Sequence, residues 1–544
     1  MFFKWIKNPI LVLVIYNQHT MNQLKYNSLL KLCLACILIF QISCNTDKTI
    51  DAESIVQVSN GQLTGIAGNN KPITVYKGIP FAAPPVDNLR WQAPQPPLLW
   101  EGVFKADEFC KSCVQNLTRE YLYLPWTKEH MIANDVDEDC LSLNIWTPAT
   151  KTTERLPVLI YIHGGAYTGG SGEVLLYDGE GLAKKGVVVV TINYRVGIMG
   201  FFTHPELTAE SPNNSSGNYG LLDQIAALQW VKENITAFGG NPDNVTISGQ
   251  SAGAHAVHVL TVSPLAKGLF HNAIAQSGPW SNRGRTTPLG EYEQLGTKFA
   301  DTLDVKSLAE LRAMSADELH TKSNEYNFRF RPNIDGWLLT DEIANIYAAG
   351  QQNDVPMLTG FNADEGSSRA SYGKLTIEEF NIMGENNYGE QYEQFSKMYP
   401  ATTDEEVKTS QLKQSRDASF ANMYNWSTAR AKTGKSNSYT YYFERETPWP
   451  EYPNYKTFHS SEVPYVFRNQ HLIDRPWEPI DKELSELMSD YWVNFITTGN
   501  PNGEGLAEWP AQESKMMRFS ETLKADTILD EDIMSFYEAA WKQK

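Results

Sequence analysis

Positive charge and cysteine are the scarce materials in this chain. Across 544 residues, 46 lysines and arginines stand against 64 aspartates and glutamates, giving a formal net charge of −18 and a pI near 5.1. A nucleic-acid backbone needs a basic footprint, so this balance argues against that class of partner. Cysteine occurs six times, and none has metal-site spacing with histidines, so no zinc site is read. No long Pro/Gly/Ser linker, internal repeat or low-complexity tract marks a place to divide the chain. What remains is an ordinary globular balance, 42% hydrophobic and 20% charged, with ample material for one large core.

The N-terminus carries a targeting pattern. From Met21 the chain reads MNQLKYNSLLKLCLACILIFQISCN: Lys25 and Lys31, an apolar run from Leu32 to Ile42, then Ser43-Cys44. That is the order of a secretory signal, and the run is too short for a comfortable membrane span. Cys44 after a small residue resembles a bacterial lipobox. Residues 21–43 therefore read as a signal peptide, Cys44 as a lipid anchor and 44–54 as a tether. The expected location is the periplasm or cell surface, with secretion as the alternative. Residues 1–20 lie ahead of a complete signal with its own methionine, and read as an upstream extension from a mis-assigned start. Cys33 and Cys36 leave with the signal. Cys110, Cys113 and Cys140 stay in an oxidising context, where a disulfide is plausible and one thiol is left over.

Downstream, PVLIYIHGGAY (157–167) and GVVVVTINYRVG (186–197) are apolar β-rich runs, as expected for a central, mainly parallel sheet covered on both faces. GLLDQIAALQWVKENITAFGG (220–240) has helical apolar spacing and stops at Gly239-Gly240. NVTISGQ (244–250) predicts a strand, AGAHAVHVLTV (252–262) a helix, and HNAIAQSG (271–278), VPMLTGFN (355–362) and SYTYYFER (438–445) further strands. Alternating strands and helices give a doubly wound α/β fold.

Ser251 stands between that strand and helix, inside GQSAG (249–253). The context suits a nucleophile elbow, a sharp turn that presents a serine hydroxyl at the top edge of the sheet. A serine needs a base, an orienting acid and backbone N–H donors for the oxyanion. HGGAY (163–167) supplies a donor loop upstream. Of ten histidines, His459 sits in a polar loop far downstream, whereas His255 and His258 are too close to Ser251 to reach back. Asp364 and Glu365 in GFNADEGSSRA both follow a strand, and spacing alone does not choose between them.

The combination resembles the type-B carboxylesterases, the branch of the α/β-hydrolases that includes cholinesterases, bacterial para-nitrobenzyl esterases and the non-catalytic neuroligins. The matching stretches include GIPFAAPPVDNLRW (78–91), EDCLSLNIWTP (138–148), NYRVG (193–197), the segment 217–254, DEGS (364–367) and FHSSEVPYVF (458–467). They span about 55–540, which reads as a single catalytic domain. The resemblance implies a large, mostly parallel sheet flanked by helices and hydrolysis of carboxylic esters through an acyl-enzyme. It implies Ser251, Glu365 and His459 as a triad, N–H donors at Gly165, Ala166 and Ala252, a Cys113–Cys140 disulfide with Cys110 as an alternative partner, and buried pairs Arg90–Glu138 and Arg195–Asp223. It implies no cofactor and no metal. The expected substrate is a small-molecule ester or an acylated carbohydrate, with an amide or thioester as a further alternative. A neuroligin-like binding module is disfavoured because such members lose the serine. Two departures disfavour a choline ester: Gln250 stands where cholinesterases carry glutamate, and His130 where they carry a tryptophan. Tyr167, Trp280, Phe328 and Phe330 are the aromatic candidates for the pocket wall.

Overall fold

The strands of the main sheet carry apolar side chains on alternate faces, and each face meets its own core. In the computed structural model, which describes residues 48–542 except 71, 117–123, 281–286, 512–513 and 529, eleven strands form one sheet. In chain order they are β1 (Ile66–Ala67), β2 (Thr74–Pro80), β3 (Ser142–Thr147), β4 (Leu156–Ile162), β5 (Val188–Ile192) and β6 (Gly240–Gln250). There follow β7 (Asn272–Gln276), β8 (Met357–Asn362), β9 (Ser438–Phe443), β10 (Lys515–Phe519) and β11 (Leu523–Thr527). Their spatial order is β11-β10-β9-β8-β7-β6-β4-β5-β3-β2-β1. The run from β5 to β10 is parallel throughout, and both margins are antiparallel. This is the α/β-hydrolase fold that the sequence predicts.

Val158, Ile160 and Ile162 of β4 enter one core, with α1 (Tyr219–Asn234) and α2 (Ala252–Val262). Leu159 and Tyr161 enter the other, under α4 (Pro479–Thr498). The period of two along a strand thus explains why β4 is apolar at nearly every position. A long helix, α3 (Asp404–Thr433), runs alongside β8 and β9, with Arg416 on the Ala363 carbonyl past one end of β8 and Arg430 on the Val355 carbonyl before the other. From Thr49 onward the chain is one compact unit. The signal, tether and Cys44 assignments fall largely outside the described residues. Among those described, no helix is long and apolar enough to cross a membrane.

β4 leads to β5 on one side, and the chain returns to place β6 on the other. That reversal opens a crevice at the carboxyl ends of the strands, where ligands of open α/β sheets are held. The loop after β4 and the turn after β6 flank it.

Candidate active site

Ser251 is the single residue between β6 and α2, with φ 60° and ψ −120°. A non-glycine residue held there costs about 1–3 kcal/mol, so its surroundings must enforce it. They do: its N–H donates to the Gln276 carbonyl (2.9 Å), and its own carbonyl accepts from His255 N (3.0 Å). The flanking glycines serve close approach rather than the turn itself. A Cβ on Gly253 would lie 2.0 Å from the Ile162 carbonyl oxygen, and one on Gly249 would lie 2.5 Å from the Gly253 backbone. Only bare backbone lets α2 press this tightly on β4 and β6.

Glu365 opens a short turn directly after β8. Its Oε1 accepts from Asn362 N (2.9 Å), and its Oε2 shares a very short hydrogen bond with His459 Nδ1. The neighbouring Asp364 is turned elsewhere, onto Arg416 (3.2 Å) and Thr457 N (3.4 Å). The structure thus brings Glu365, and not Asp364, to the histidine. His459 is anchored by its own N–H on Ser368 Oγ (3.0 Å). Its outward nitrogen, Nε2, lies 3.1 Å from the side-chain amide of Gln250, next to the serine. Burial pulls the imidazolium of His459 down, but the charge and hydrogen bond of Glu365, aided by Glu462, outweigh burial and hold the ring above the ordinary histidine value. Glu462 is itself buried and accepts from Asn362 Nδ2 (2.5 Å) and Gln276 Nε2 (3.2 Å). Desolvation pushes its carboxyl up to about 7.

The loop after β4 carries Gly165 at φ 113° and Ala166 at φ 55°. It folds back on itself through Thr168 N and Gly169 N, which both donate to the Gly165 carbonyl at 2.9 and 3.1 Å. Ala252 supplies the first N–H of α2, which has no partner within the helix. His163 props the loop: its ring stacks on Tyr194 at 4.2 Å, its Nδ1 contacts the Gly164 carbonyl at 2.8 Å, and burial lowers it to about 4.

Two cavities, of about 540 and 450 Å³, meet at Ser251. Both are ample for a small organic ester. Ser251, His459, Ala166 and Arg331 border both. The first is walled by the donor loop and by Gln115, Trp126 and His130. The second is walled by Tyr167, His255, Phe361 and α3. Among the described residues, no group of three or more His, Cys, Asp or Glu is arranged to hold a metal ion.

Cys113 and Cys140 are joined by a disulfide, and Cys110 is a free thiol raised by burial. The 113–140 loop is what carries Gln115, Trp126 and His130 to the first cavity. Gln115 clips it to the donor loop through reciprocal bonds with Gly170 N (2.7 Å) and Gly170 O (2.8 Å). Arg195 and Asp223 form a bidentate pair at 2.7 and 2.8 Å, with side chains 3% and 0% exposed. Arg90 is paired with Glu138 at 2.5 Å.

Three of the four aromatic candidates are elsewhere. Phe328 and Phe330 pack with Phe202 and Phe299, and Trp280 packs on Tyr347. Only Tyr167 reaches a cavity, where its hydroxyl meets His255 Nδ1 at 2.6 Å. His258 is buried against Trp426, as a packing residue would be. Trp126, which stands just upstream of His130 in the sequence, was not among the candidates for the wall. It meets the His459 ring edge-on at 6.4 Å, so the wall has an indole although position 130 holds histidine. Its only signal was its place inside the disulfide loop. Arg331, next to the misassigned Phe330, also went unread.

Residues 52–536 match the Carboxylesterase family. The chain is 36% identical to fumonisin B1 esterase of Sphingopyxis macrogoltabida over 488 residues, covering 86% of each. It is 35% identical to para-nitrobenzyl esterase of Bacillus subtilis, covering 88% of this chain and 95% of that one. Human cocaine esterase is 33% identical, with 89% and 90% covered. A solved PNB esterase superimposes with a TM-score of 0.76 at 31% identity, over 89% of this chain and 99% of the other. With this fold, this crevice and these relatives, the chain belongs to the carboxylesterase family and is a serine carboxylic-ester hydrolase.

Proposed function

We propose that Ser251, His459 and Glu365 hydrolyse esters as a triad through an acyl-enzyme. The observation that carries this reading is the His459 Nδ1–Glu365 bond, which leaves Nε2 on the Ser251 side where both cavities meet. Nε2 exchanges its Gln250 contact for the serine hydroxyl as substrate enters; such contacts commonly tighten only with substrate bound. Ser251 Oγ attacks the carbonyl carbon and gives its proton to Nε2. The oxyanion is held by the N–H groups of Gly165, Ala166 and Ala252, one such donor being worth about 2.7–4 kcal/mol of barrier. The tetrahedral adduct collapses, and Nε2 hands the proton to the departing alcohol. Water then gives a proton to Nε2 and attacks the acyl carbon; the bond to Ser251 Oγ breaks, Nε2 returns the proton to Oγ, and the acid is freed. Glu365 keeps Nδ1 protonated throughout and stabilises the imidazolium. No step calls on a cofactor. The relatives' names concern esters of small organic molecules, and small-molecule or acylated-carbohydrate esters are proposed here.

The test is hydrolysis of para-nitrophenyl esters from acetate to decanoate by the chain from Asn45, beside Ser251→Ala. Turnover lost in the variant supports the triad, and the chain-length optimum sizes the acyl pocket. Equal turnover in both would sink it.

The same proposal places the protein outside the cytoplasm, anchored through lipid on Cys44. Its support is the 21–44 pattern together with the buried Cys113–Cys140 disulfide, which suits an oxidising compartment. Cys44→Ala should release the esterase from the membrane fraction.

A further inference from the structure

Cations outnumber carboxylates among the described residues that wall the cavities of this acidic chain. Glu365 is the only carboxylate among the described residues to reach either wall, and it is engaged with His459. Three arginines reach the same walls: Arg329 in the first cavity, Arg369 in the second and Arg331 in both. All three are exposed, and none is paired with a carboxylate among the described residues; Arg329 donates only to Asn324 Oδ1, at 2.8 Å. Other arginines behave differently. Arg416 pairs with Asp364, and Arg445 gathers Glu478, Asp481 and Glu521. In a chain with 64 acidic residues, three guanidinium groups without a carboxylate partner among the described residues place positive charge around this one crevice.

We infer that the site selects esters bearing a free carboxylate, such as half-esters of dicarboxylic acids, with Arg331 as the main specificity-determining residue. This rests on the esterase reading above. Cleft walls of low dielectric focus such a field and raise the local concentration of an anionic substrate. A guanidinium fork also matches a carboxylate in two parallel hydrogen bonds, which fixes orientation as well as charge. Arg331 borders both cavities, and among the described residues it is the one arginine that meets the substrate whichever half lies in which. Water adds across the acyl C–O bond, the alcohol leaves with the proton from His459, and the acid departs as a second carboxylate.

The experiment compares matched esters: mono-para-nitrophenyl glutarate against para-nitrophenyl butyrate, and 4-acetoxybenzoate against phenyl acetate. The readout is the ratio of kcat/KM, anionic over neutral, for wild type, Arg331→Met and Arg331→Lys. At least one pair should favour the anionic ester in wild type, after correction for the uncatalysed rates. That ratio should fall tenfold or more in Arg331→Met and recover partly in Arg331→Lys. It should also fall as salt rises from about 0.02 to about 0.5 M, because exposed charges are screened. A ratio unmoved by the substitution and by salt in both pairs overturns the inference. The esterase reading stands or falls separately, on whether the neutral esters are turned over and lost in Ser251→Ala.

Discussion

Cutting the Cys113–Cys140 bridge should loosen one wall of the site far more than it destabilises the protein. The perturbation is the double substitution Cys113→Ala/Cys140→Ala, which leaves no new thiol beside Cys110. The two cysteines are 27 residues apart. Closing a loop of that length restricts the unfolded chain by about 3.5 kcal/mol on the chain-entropy account. Unfolding entropy of about 2.1 cal/mol/K per residue gives about 1 kcal/mol/K for a chain this long, so Tm should drop by only about 3 °C. The same free energy acting on local opening is another matter. It raises the population of the opened loop by up to about 300-fold, because each 1.4 kcal/mol is a factor of ten. What still holds the loop includes the Gln115–Gly170 clip, the Ala133 N–Glu173 bond (2.6 Å), the Asn116–His320 contact (2.8 Å) and the Arg90–Glu138 pair. The assay is amide exchange across 113–140 together with KM for a long-chain ester. Faster exchange there, with a raised KM and a nearly unchanged kcat for acetate, is the expected result. Exchange and KM both equal to wild type would refute the reasoning, and would mean that packing alone holds that wall.

Other perturbations test other parts. The base must be neutral to act, and His459 lies above the ordinary histidine value, so kcat/KM should fall as pH drops through a point above 6.5. Glu365→Gln should move that acid limb down and cost about 10⁴-fold in kcat; a limb moving up would contradict the assignment. Asp223→Asn leaves buried Arg195 uncompensated and should cost about 3–5 kcal/mol in urea unfolding, while Arg195→Met with Asp223→Leu should recover most of it. Gly253→Ala drives a Cβ to within 2.0 Å of the Ile162 carbonyl. It should cost about 1–3 kcal/mol or more and displace Ser251, so turnover should suffer beyond what thermal stability explains.

Much of the sheet was legible because both of its faces are buried, which makes β4 and β5 read as near-continuous apolar runs. The 252–262 helix was legible because Ser251 and Ser263 bound an apolar stretch. The long helix α3 was not read. Its buried positions include Ser410, Ser415 and Ser419, so its inward face is polar and carries little hydrophobic period. The site divides in the same way. The elbow and the donor loop have local signatures, because backbone geometry dictates residue type there. The choice of Glu365 over Asp364 lay beyond spacing, since both flank the same turn and only tertiary partners separate them. Phe328 and Phe330 were misread because an aromatic near a motif looks the same whether it faces a core or a cavity. Alternation along 328–331 buries the phenylalanines and turns Arg329 and Arg331 outward.

The two cavities share their reacting atoms but little of their masonry. One is walled by a disulfide-closed loop, the other by α3 and the segment after β8. Residues with few shared partners act almost independently on free energy. Recognition of the two halves of an ester can therefore drift separately: change in one wall leaves discrimination at the other intact. Arg331, common to both, is the exception, a position where one substitution retunes both halves at once.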